Sequence, residues 1–180
     1  TRDAGVLMHC DAVQMAGKFP INFDDGGFDL LSLSSHKIGG PRGVGALVVN
    51  PKLQLPPAIR GGGQEKNRRA GTENVSGIAG FGAAAAAALD GLDGWAEIRA
   101  LRDRMEQRLQ QAIPGLVVAG QAAERAPGTS CLALPGRGAE TQVMAMDLAG
   151  VAISAGSACS SGKVKRSHVL DAMGHDEAVA

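Results

Sequence analysis

The sequence predicts an α/β protein in two parts, because short apolar runs alternate with longer stretches of helical periodicity along its 180 residues. Pattern and composition both change near residue 91, within the segment "DGLDG". We therefore expect an α/β domain over residues 1–92 and a smaller, incomplete α+β domain over residues 93–180. The chain starts without a methionine and runs straight into a predicted strand, so we expect it to be a piece of a larger protein.

Three short strands are predicted in the first part, over residues 5–11, 28–37 and 43–49. The first ends in a carboxylate, and the second ends in the polar run "SSHK" before a glycine–proline turn. Open α/β sheets bind ligands outside the carboxyl ends of their strands. The polar ends therefore predict a ligand site at one edge of the sheet. Residues 56–72 are rich in glycine and proline and are predicted to form a loop.

Two long helices are predicted next. Thr72 and Asn74 are both candidate N-caps for a helix through "VSGIAGFGAAAAAAL", whose alanines favour close packing between a helix and a sheet. Residues 94–113 place apolar side chains at three- and four-residue steps, which predicts an amphipathic helix that ends before Pro114. Shorter elements follow, namely strands over 115–120, 130–136 and 151–156 and helices over 139–150 and near 166–173.

The composition argues against several classes of protein. Lysine and arginine number 18, as do aspartate and glutamate, so the overall charge gives no support for nonspecific nucleic-acid binding. No apolar stretch reaches the roughly 20 residues that a membrane span takes. The first residues show no signal-peptide pattern. We expect a cytoplasmic protein with neither a membrane nor a nucleic acid as partner.

The three cysteines form no CxxC pair, and the four histidines show no recognisable metal-ligand spacing. We therefore expect neither a disulfide framework nor a metal site. Cys10 and Cys131 lie in predicted apolar strands and are interpreted as small buried hydrophobic residues. Cys159 lies instead in "SAGSACSSGK", where few bulky side chains are present to bury a thiol. This context makes Cys159 a candidate nucleophile.

One lysine has a varied set of polar neighbours. Lys37 follows two hydroxyls and an imidazole at the end of a predicted strand, and the glycines after it allow a ligand to approach the backbone. A carboxylate and an amide follow the neighbouring strand. Such groups together could bind a flat, phosphorylated heterocycle. The set consists of Asp11, Gln14, Ser34, Ser35, His36 and Lys37.

Four segments of the chain resemble, in the same order, those of the cysteine desulfurases. They are "HCDAVQ", "LSLSSHKIGGPRGVGAL", "GGGQEKNRRAGTENV" and "SAGSACSSGK". The last is similar to the group I (NifS- and IscS-like) branch, which supplies sulfur for iron–sulfur cluster assembly. The resemblance implies an α/β fold, as part of a fold-type I, pyridoxal phosphate-dependent transferase of the class V aminotransferase superfamily. Such an enzyme has a three-layer sandwich large domain and a smaller α+β domain.

The resemblance also implies roles for the residues that match. Lys37 would attach pyridoxal phosphate and later move protons at the α-carbon of the substrate, L-cysteine. Asp11 would face the pyridine nitrogen, and Gln14 would bond to the ring oxygen.

The remaining matched residues would hold the phosphate and carry the sulfur. Ser34 and His36 would bind the phosphate, together with Thr72 from the second subunit of a homodimer. The thiolate of Cys159 would take the substrate's sulfur as a persulfide and pass it to an iron–sulfur scaffold or another sulfur-acceptor protein. L-alanine would be the other product.

The chain departs from the family pattern in its length. The family's N-terminal half supplies a histidine that stacks on the cofactor and a further phosphate-binding threonine, and its C-terminal end supplies an arginine for the substrate carboxylate. None of these matches a residue of this chain. We therefore expect the chain to be inactive or poorly active alone.

Two other functions remain open from the sequence. The first is a related enzyme, such as a selenocysteine lyase or another class V aminotransferase-like protein, in which Cys159 need not be essential. The second is an inactive, truncated interaction module that docks on a partner without turnover. A rhodanese-like sulfur carrier also uses a loop cysteine, but it gives no reason for Asp11 and "SSHK".

Overall fold

The computed structural model describes residues 4–156, 166–176 and 179 of the chain. The chain forms two compact units, Thr1–Trp95 and Ala96–Ala180. Strands and helices alternate along the chain, which confirms the predicted α/β class.

The first unit is built on a three-stranded sheet. Its strands are β1 (His9–Asp11), β2 (Leu30–Ser34) and β3 (Gly45–Val49), in that order across the sheet. β1 runs parallel to β2 with Asp11 opposite Ser32, whereas β3 runs antiparallel to β2 with Gly45 opposite Ser34. The carboxyl ends of the two parallel strands therefore lie at the same edge of the sheet.

All three predicted strands form, but each is shorter than its sequence pattern indicates. β1 begins only at His9, and the amide of the residue before it bonds to a side chain. The Met8 amide donates to Asp29 Oδ2 at 2.8 Å. The Met8 carbonyl accepts from the amides of both Asp29 and Leu30, at 2.8 and 3.1 Å. The bond from the Leu30 amide is the first of the parallel ladder, so the pairing of β1 with β2 starts at this carbonyl.

The polar end of β2 turns directly into a 3₁₀ helix, Ser35–Ile38. Helix α2 (Val75–Asp90) packs against this turn and the residues that follow it. A Cβ on Gly80 would lie 2.6 Å from Pro41 Cγ, so a glycine is needed where the helix approaches the turn. The close packing predicted between the alanine-rich helix and the sheet is not confirmed, because the helix packs chiefly on the turn after β2 and most of its alanines are exposed.

The predicted loop over residues 56–72 contains one helical turn, α1 (Gln64–Asn67). Within it, Glu65 and Lys66 have positive φ angles of 50° and 55°, so the turn is left-handed. Asn74 then caps α2, because its Oδ1 accepts a hydrogen bond from the Gly77 amide at 3.1 Å. Of the two candidate N-caps, Asn74 is the one that the structure uses.

The elements after α2 are a 3₁₀ turn (Leu92–Gly94), α3 (Trp95–Ala112), β4 (Val117–Val118), β5 (Leu132–Ala133), α4 (Ala139–Leu148) and α5 (His168–Ala172). β4 and β5 pair antiparallel. The amphipathic helix predicted over 94–113 is confirmed. The strand predicted over 151–156 is wrong, because the Val151 amide donates to the Met146 carbonyl at 2.8 Å and so completes the end of α4.

A buried ion pair anchors α3 within the second unit. The side chain of Glu106 is 3% exposed, and its two oxygens accept from the two terminal nitrogens of Arg125, each at 2.8 Å. Ser130 Oγ donates to the same carboxylate at 2.7 Å. The hydrogen bond from Arg125 lowers the pKa of Glu106 below its ordinary value, against the opposing effect of burial. Glu106 is therefore held ionised inside the unit.

Helices α2 and α3 both expose apolar side chains. Val75 and Leu89 of α2 are 72% and 68% exposed, and Leu101 of α3 is 51% exposed. Among the described residues, no single helix is long and apolar enough to cross a bilayer, and only α2 taken together with Leu92–Ala112 reaches that length and composition.

Candidate active site

Four of the predicted site residues lie at the carboxyl ends of β1 and β2, which we call the polar edge (Asp11, Ser34, His36 and Lys37). Asp11 ends β1 and Ser34 ends β2, while His36 and Lys37 follow in the 3₁₀ helix. Ser34 Oγ and His36 Nδ1 share a hydrogen bond of 2.9 Å. The parallel pairing therefore brings a carboxylate, a hydroxyl, an imidazole and an amine to one edge of the sheet.

Asp11 and Gln14 are exposed and only partly engaged. Asp11 Oδ1 accepts from the Val13 amide at 3.0 Å, a local bond that orients the carboxylate. Asp11 Oδ2 accepts no hydrogen bond from the part of the chain that the structure describes. Gln14 lies in the turns after β1, and its Oε1 accepts from Lys18 Nζ at 3.3 Å. One oxygen of Asp11 and the amide nitrogen of Gln14 thus stay open to a ligand.

Lys37 is exposed, and its amine makes no hydrogen bond or ion pair with any residue in the described ranges. Together with Lys18 and Trp95 it lines a cavity of about 310 Å³ in the first unit. The other three residues of the polar edge do not line this cavity. The structure therefore places Lys37 at the end of β2 with the other three residues, but on a cavity that they do not line.

His9 is a polar residue of this region that the sequence pattern did not lead us to single out. It precedes Asp11 by two residues in β1, so both side chains lie on the same face of the sheet. His9 Nε2 shares a hydrogen bond of 2.8 Å with Ser32 Oγ on β2. This bond joins β1 to β2 and favours the register that the structure shows. The alternation within "HCD" is the signal that could have revealed it.

Ser35 begins the 3₁₀ helix and carries a buried hydroxyl. The residue is fully buried, and its Oγ has no hydrogen-bond partner among the described residues. An unpaired buried hydroxyl costs about 1–3 kcal/mol. We therefore predict that Ser35→Ala raises the free energy of unfolding, measured by urea denaturation, by about 1 kcal/mol.

The neighbouring serine provides the control for that prediction. Ser34→Ala removes a hydroxyl that bonds to His36, so it should give no increase in the free energy of unfolding. A Ser35→Ala variant that unfolds at lower urea concentration than the unsubstituted protein would contradict the prediction.

The structure does not bring all predicted site residues together. Thr72 is exposed in the loop before α2, and none of its hydrogen bonds joins it to the polar edge within the described residues. Cys159 lies outside the described residues. Cys10 is partly buried, but Cys131 is exposed, so its predicted burial is wrong. β5 begins one residue later, at Leu132, which leaves Cys131 outside the paired residues.

Residues 4–156, 166–176 and 179 contain no group of three or more histidine, cysteine, aspartate or glutamate side chains that could hold a metal ion.

A parallel strand pair, polar groups at its carboxyl ends and a glycine-rich turn are typical of α/β proteins that bind a ligand at the edge of the sheet. The family can be stated as well. The family model for class-V aminotransferases matches residues 1–173, and the chain belongs to that family. Enzymes of this family depend on pyridoxal phosphate.

Several relatives carry a more specific name. The chain is 48% identical over 170 residues to a cysteine desulfurase of Cereibacter sphaeroides, covering 94% of the chain and 43% of the relative. It is 46% identical over 185 residues to the cysteine desulfurase IscS of an Anaeromyxobacter species, covering 100% of the chain and 45% of the relative. The chain spans less than half the length of these curated relatives.

Solved structures show the same likeness. A NifS-like protein from Rickettsia africae superposes with a TM-score of 0.85 at 35% identity, covering 99% of this chain and 47% of that protein. A second NifS-like protein superposes with a TM-score of 0.84 at 31% identity, covering 98% of this chain and 45% of that protein. The fold of the chain is therefore that of part of a NifS-like, fold-type I enzyme, as predicted.

Proposed function

We propose that this protein is a pyridoxal phosphate-dependent cysteine desulfurase, which converts L-cysteine to L-alanine and supplies the sulfur for iron–sulfur cluster assembly. The observation that carries the proposal is the parallel pairing of β1 with β2, which brings Asp11 to the same edge of the sheet as Lys37. The relatives named cysteine desulfurase, at 48% and 46% identity, support the choice of reaction.

The residues at the polar edge fit this cofactor. Its aldehyde needs an unpaired amine for covalent attachment, and its pyridine N–H needs a carboxylate as acceptor. Lys37 and Asp11 supply these two groups. The hydroxyls of Ser34 and Thr72 and the imidazole of His36 are donors that suit a phosphate. When bound, pyridoxal phosphate supplies an electron sink for bonds that break next to the substrate's amino group.

The chain's own groups would then act as follows. Lys37 would attach the cofactor and would move a proton at the substrate's α-carbon, for which its amine would have to be neutral. Asp11 would accept from the pyridine N–H with the oxygen that the Val13 amide leaves open. Gln14 would donate its amide N–H to the ring oxygen, since its carbonyl oxygen already accepts from Lys18.

Cys159 is the proposed acceptor of the substrate's sulfur. Its thiolate forms a sulfur–sulfur bond as the carbon–sulfur bond of L-cysteine breaks, and the electron pair left on carbon is protonated to give alanine. The chain keeps the sulfur as a persulfide until a sulfur-acceptor protein, such as an iron–sulfur scaffold, takes it. The sequence around Cys159 supports this role, because it has few bulky side chains that could bury the thiol.

The proposal extends to assembly and location. Thr72 is exposed and has no hydrogen bond to the polar edge of its own chain among the described residues, which supports its acting on the site of a second subunit in a homodimer. The free thiols of Cys10 and Cys131 support a reducing, cytoplasmic location. The two compact units support residues 1–92 as the C-terminal part of the cofactor-binding large domain and 93–180 as the small domain.

Mass spectrometry tests the proposal directly. After incubation with pyridoxal phosphate and reduction with borohydride, the peptide that contains Lys37 should carry the reduced cofactor. After incubation with the cofactor and L-cysteine without reduction, the peptide that contains Cys159 should gain one sulfur atom. In Cys159→Ser the sulfur label should disappear while the adduct on Lys37 remains.

The three functions that the sequence leaves open give different results in this experiment. A cofactor adduct together with sulfur on Cys159 supports the desulfurase. A cofactor adduct without any sulfur label would instead favour another class V enzyme. The absence of both modifications would contradict an enzymatic role and would favour a non-catalytic interaction module.

A further inference from the structure

A backbone hydrogen bond closes the base of the loop that precedes Thr72. The Ala70 amide donates to the Ile59 carbonyl at 3.0 Å, so two residues that are eleven positions apart meet across the base of the loop. Ala70 is 6% exposed, which makes it one of the few buried residues of this segment. Thr72 follows Ala70 by two residues, so the chain is held in place shortly before Thr72.

The tip of the same loop adopts a backbone conformation that is unfavourable for its residues. Glu65, Lys66 and Asn67 have φ angles of 50°, 55° and 64°, a run of three left-handed residues of which none is glycine. Residues other than glycine visit this region as single positions and seldom in a run. Such conformations persist where the surrounding structure over-determines them. The loop therefore needs specific bonds that hold the turn in place.

The side chain of Gln64 supplies a bond of that kind. Gln64 Oε1 accepts a hydrogen bond from the Gly71 amide at 3.3 Å and so spans the left-handed turn. A Cβ on Gly62 would lie 2.5 Å from Gln64 Oε1, so the glycine leaves room for the amide to reach across. Gly71 itself has a φ of 106°, which favours glycine. The residue that donates this bond, Gly71, comes directly before Thr72.

We propose that Gln64 is a positioning residue, which closes the left-handed turn onto Gly71 and thereby fixes the direction in which Thr72 leaves the loop. This inference rests on the proposed function, because the position of Thr72 matters only if Thr72 binds the phosphate of the cofactor. The bond needs an acceptor at residue 64, so a carboxylate can replace the amide oxygen whereas a methyl group cannot.

Limited proteolysis without cofactor tests the closure of the loop. Arg68 and Arg69 are exposed and lie inside the closed segment, so trypsin reports how often the loop opens. Gln64→Ala should be cut after these residues about fivefold faster than the unsubstituted protein, because one hydrogen bond is lost. Gln64→Glu should be cut within about twofold of the unsubstituted rate, since its carboxylate still accepts from Gly71. Gln54→Ala, at an exposed glutamine outside the loop, is the matched control and should show no change.

Release of pyridoxal phosphate tests the second part of the proposal. The loaded Gln64→Ala protein should lose the cofactor about fivefold faster, and Gln64→Glu should restore slow release, which a general loss of stability would not do. Equal cleavage of Gln64→Ala and the unsubstituted protein would overturn the inference, whether or not the cofactor binds. Faster cleavage with unchanged release would overturn it too, because the closure would then not serve Thr72. Faster cleavage in a protein that retains no cofactor would support the closure and refute the proposed function instead.

Discussion

Lys37→Ala is expected to abolish covalent attachment of pyridoxal phosphate and, with it, any formation of alanine from L-cysteine above the rate given by the free cofactor. The reason is that the amine of Lys37 lies at the polar edge beside Asp11 and has no other partner among the described residues. The other amine nearby, that of Lys18, donates to Gln14 at 3.3 Å. The adduct is measured by mass after borohydride reduction, and the rate by alanine release.

A second lysine of the first unit controls for the loss of a positive charge. Lys52 is exposed in the turn after β3, and Lys52→Ala should keep both the adduct and the rate. Lys18 lines the same cavity as Lys37 and is the alternative site of attachment. An adduct found on Lys18 in the unsubstituted protein would show that the assignment to Lys37 is wrong.

Glu106→Gln is expected to lower the free energy of unfolding of the second unit by about 3 kcal/mol. Removal of one partner leaves the other charge, on Arg125, without its counter-ion. The side chain of Arg125 is 15% exposed, so water replaces the lost carboxylate only in part. The measurement is urea denaturation followed by far-ultraviolet circular dichroism.

Glu97→Gln, at an exposed position of the same helix, is the control and should change the free energy of unfolding by less than about 0.5 kcal/mol. Equal effects of the two substitutions would contradict a special role for the buried pair.

The same ion pair gives the stability a defined dependence on pH. The pKa of Glu106 is lowered in the folded chain, chiefly by the hydrogen bond from Arg125, from an ordinary value of 4.5. A group with a lowered folded pKa stabilises the protein above its unfolded pKa, and that contribution is lost as the pH falls through the folded pKa. The difference in stability between Glu106→Gln and the unsubstituted protein should therefore be constant near neutral pH and shrink below about pH 4.5. If the difference in free energy of unfolding between the two proteins stays constant down to the pH at which the protein unfolds in acid, this explanation is contradicted.

The parts of the fold that could be predicted from the sequence are those set by local pattern. Asp11 and the run from Ser34 to Lys37 each follow an apolar run, so their place at strand ends could be inferred without a structure. The helix over Trp95–Ala112 could also be predicted, since its periodicity is regular and Pro114 follows it. In these segments the local preference and the tertiary structure agree.

The features that could not be predicted depend on contacts between distant residues. The strand candidate at 151–156 has suitable residues, but a strand exists only where a neighbour offers backbone groups, and Val151 bonds to α4 instead. Glu106 lies in α3 and Arg125 lies 19 residues later in the segment between β4 and β5, and no periodicity links them. The left-handed turn at Gln64–Asn67 runs against the preference of its residues, so no propensity argument could indicate it.

The parallel register of β1 and β2 has a consequence for how the gene can vary. Side chains alternate between the faces of a strand, so His9 and Asp11 share a face only because exactly one residue separates them. A codon inserted between them would send one of the two side chains to the opposite face, even if the strand still formed. A codon inserted at the exposed tip near Asp24 changes only the length of a connection. Insertions and deletions among descendants of this sequence should therefore accumulate in the connection and be absent from the three residues of β1.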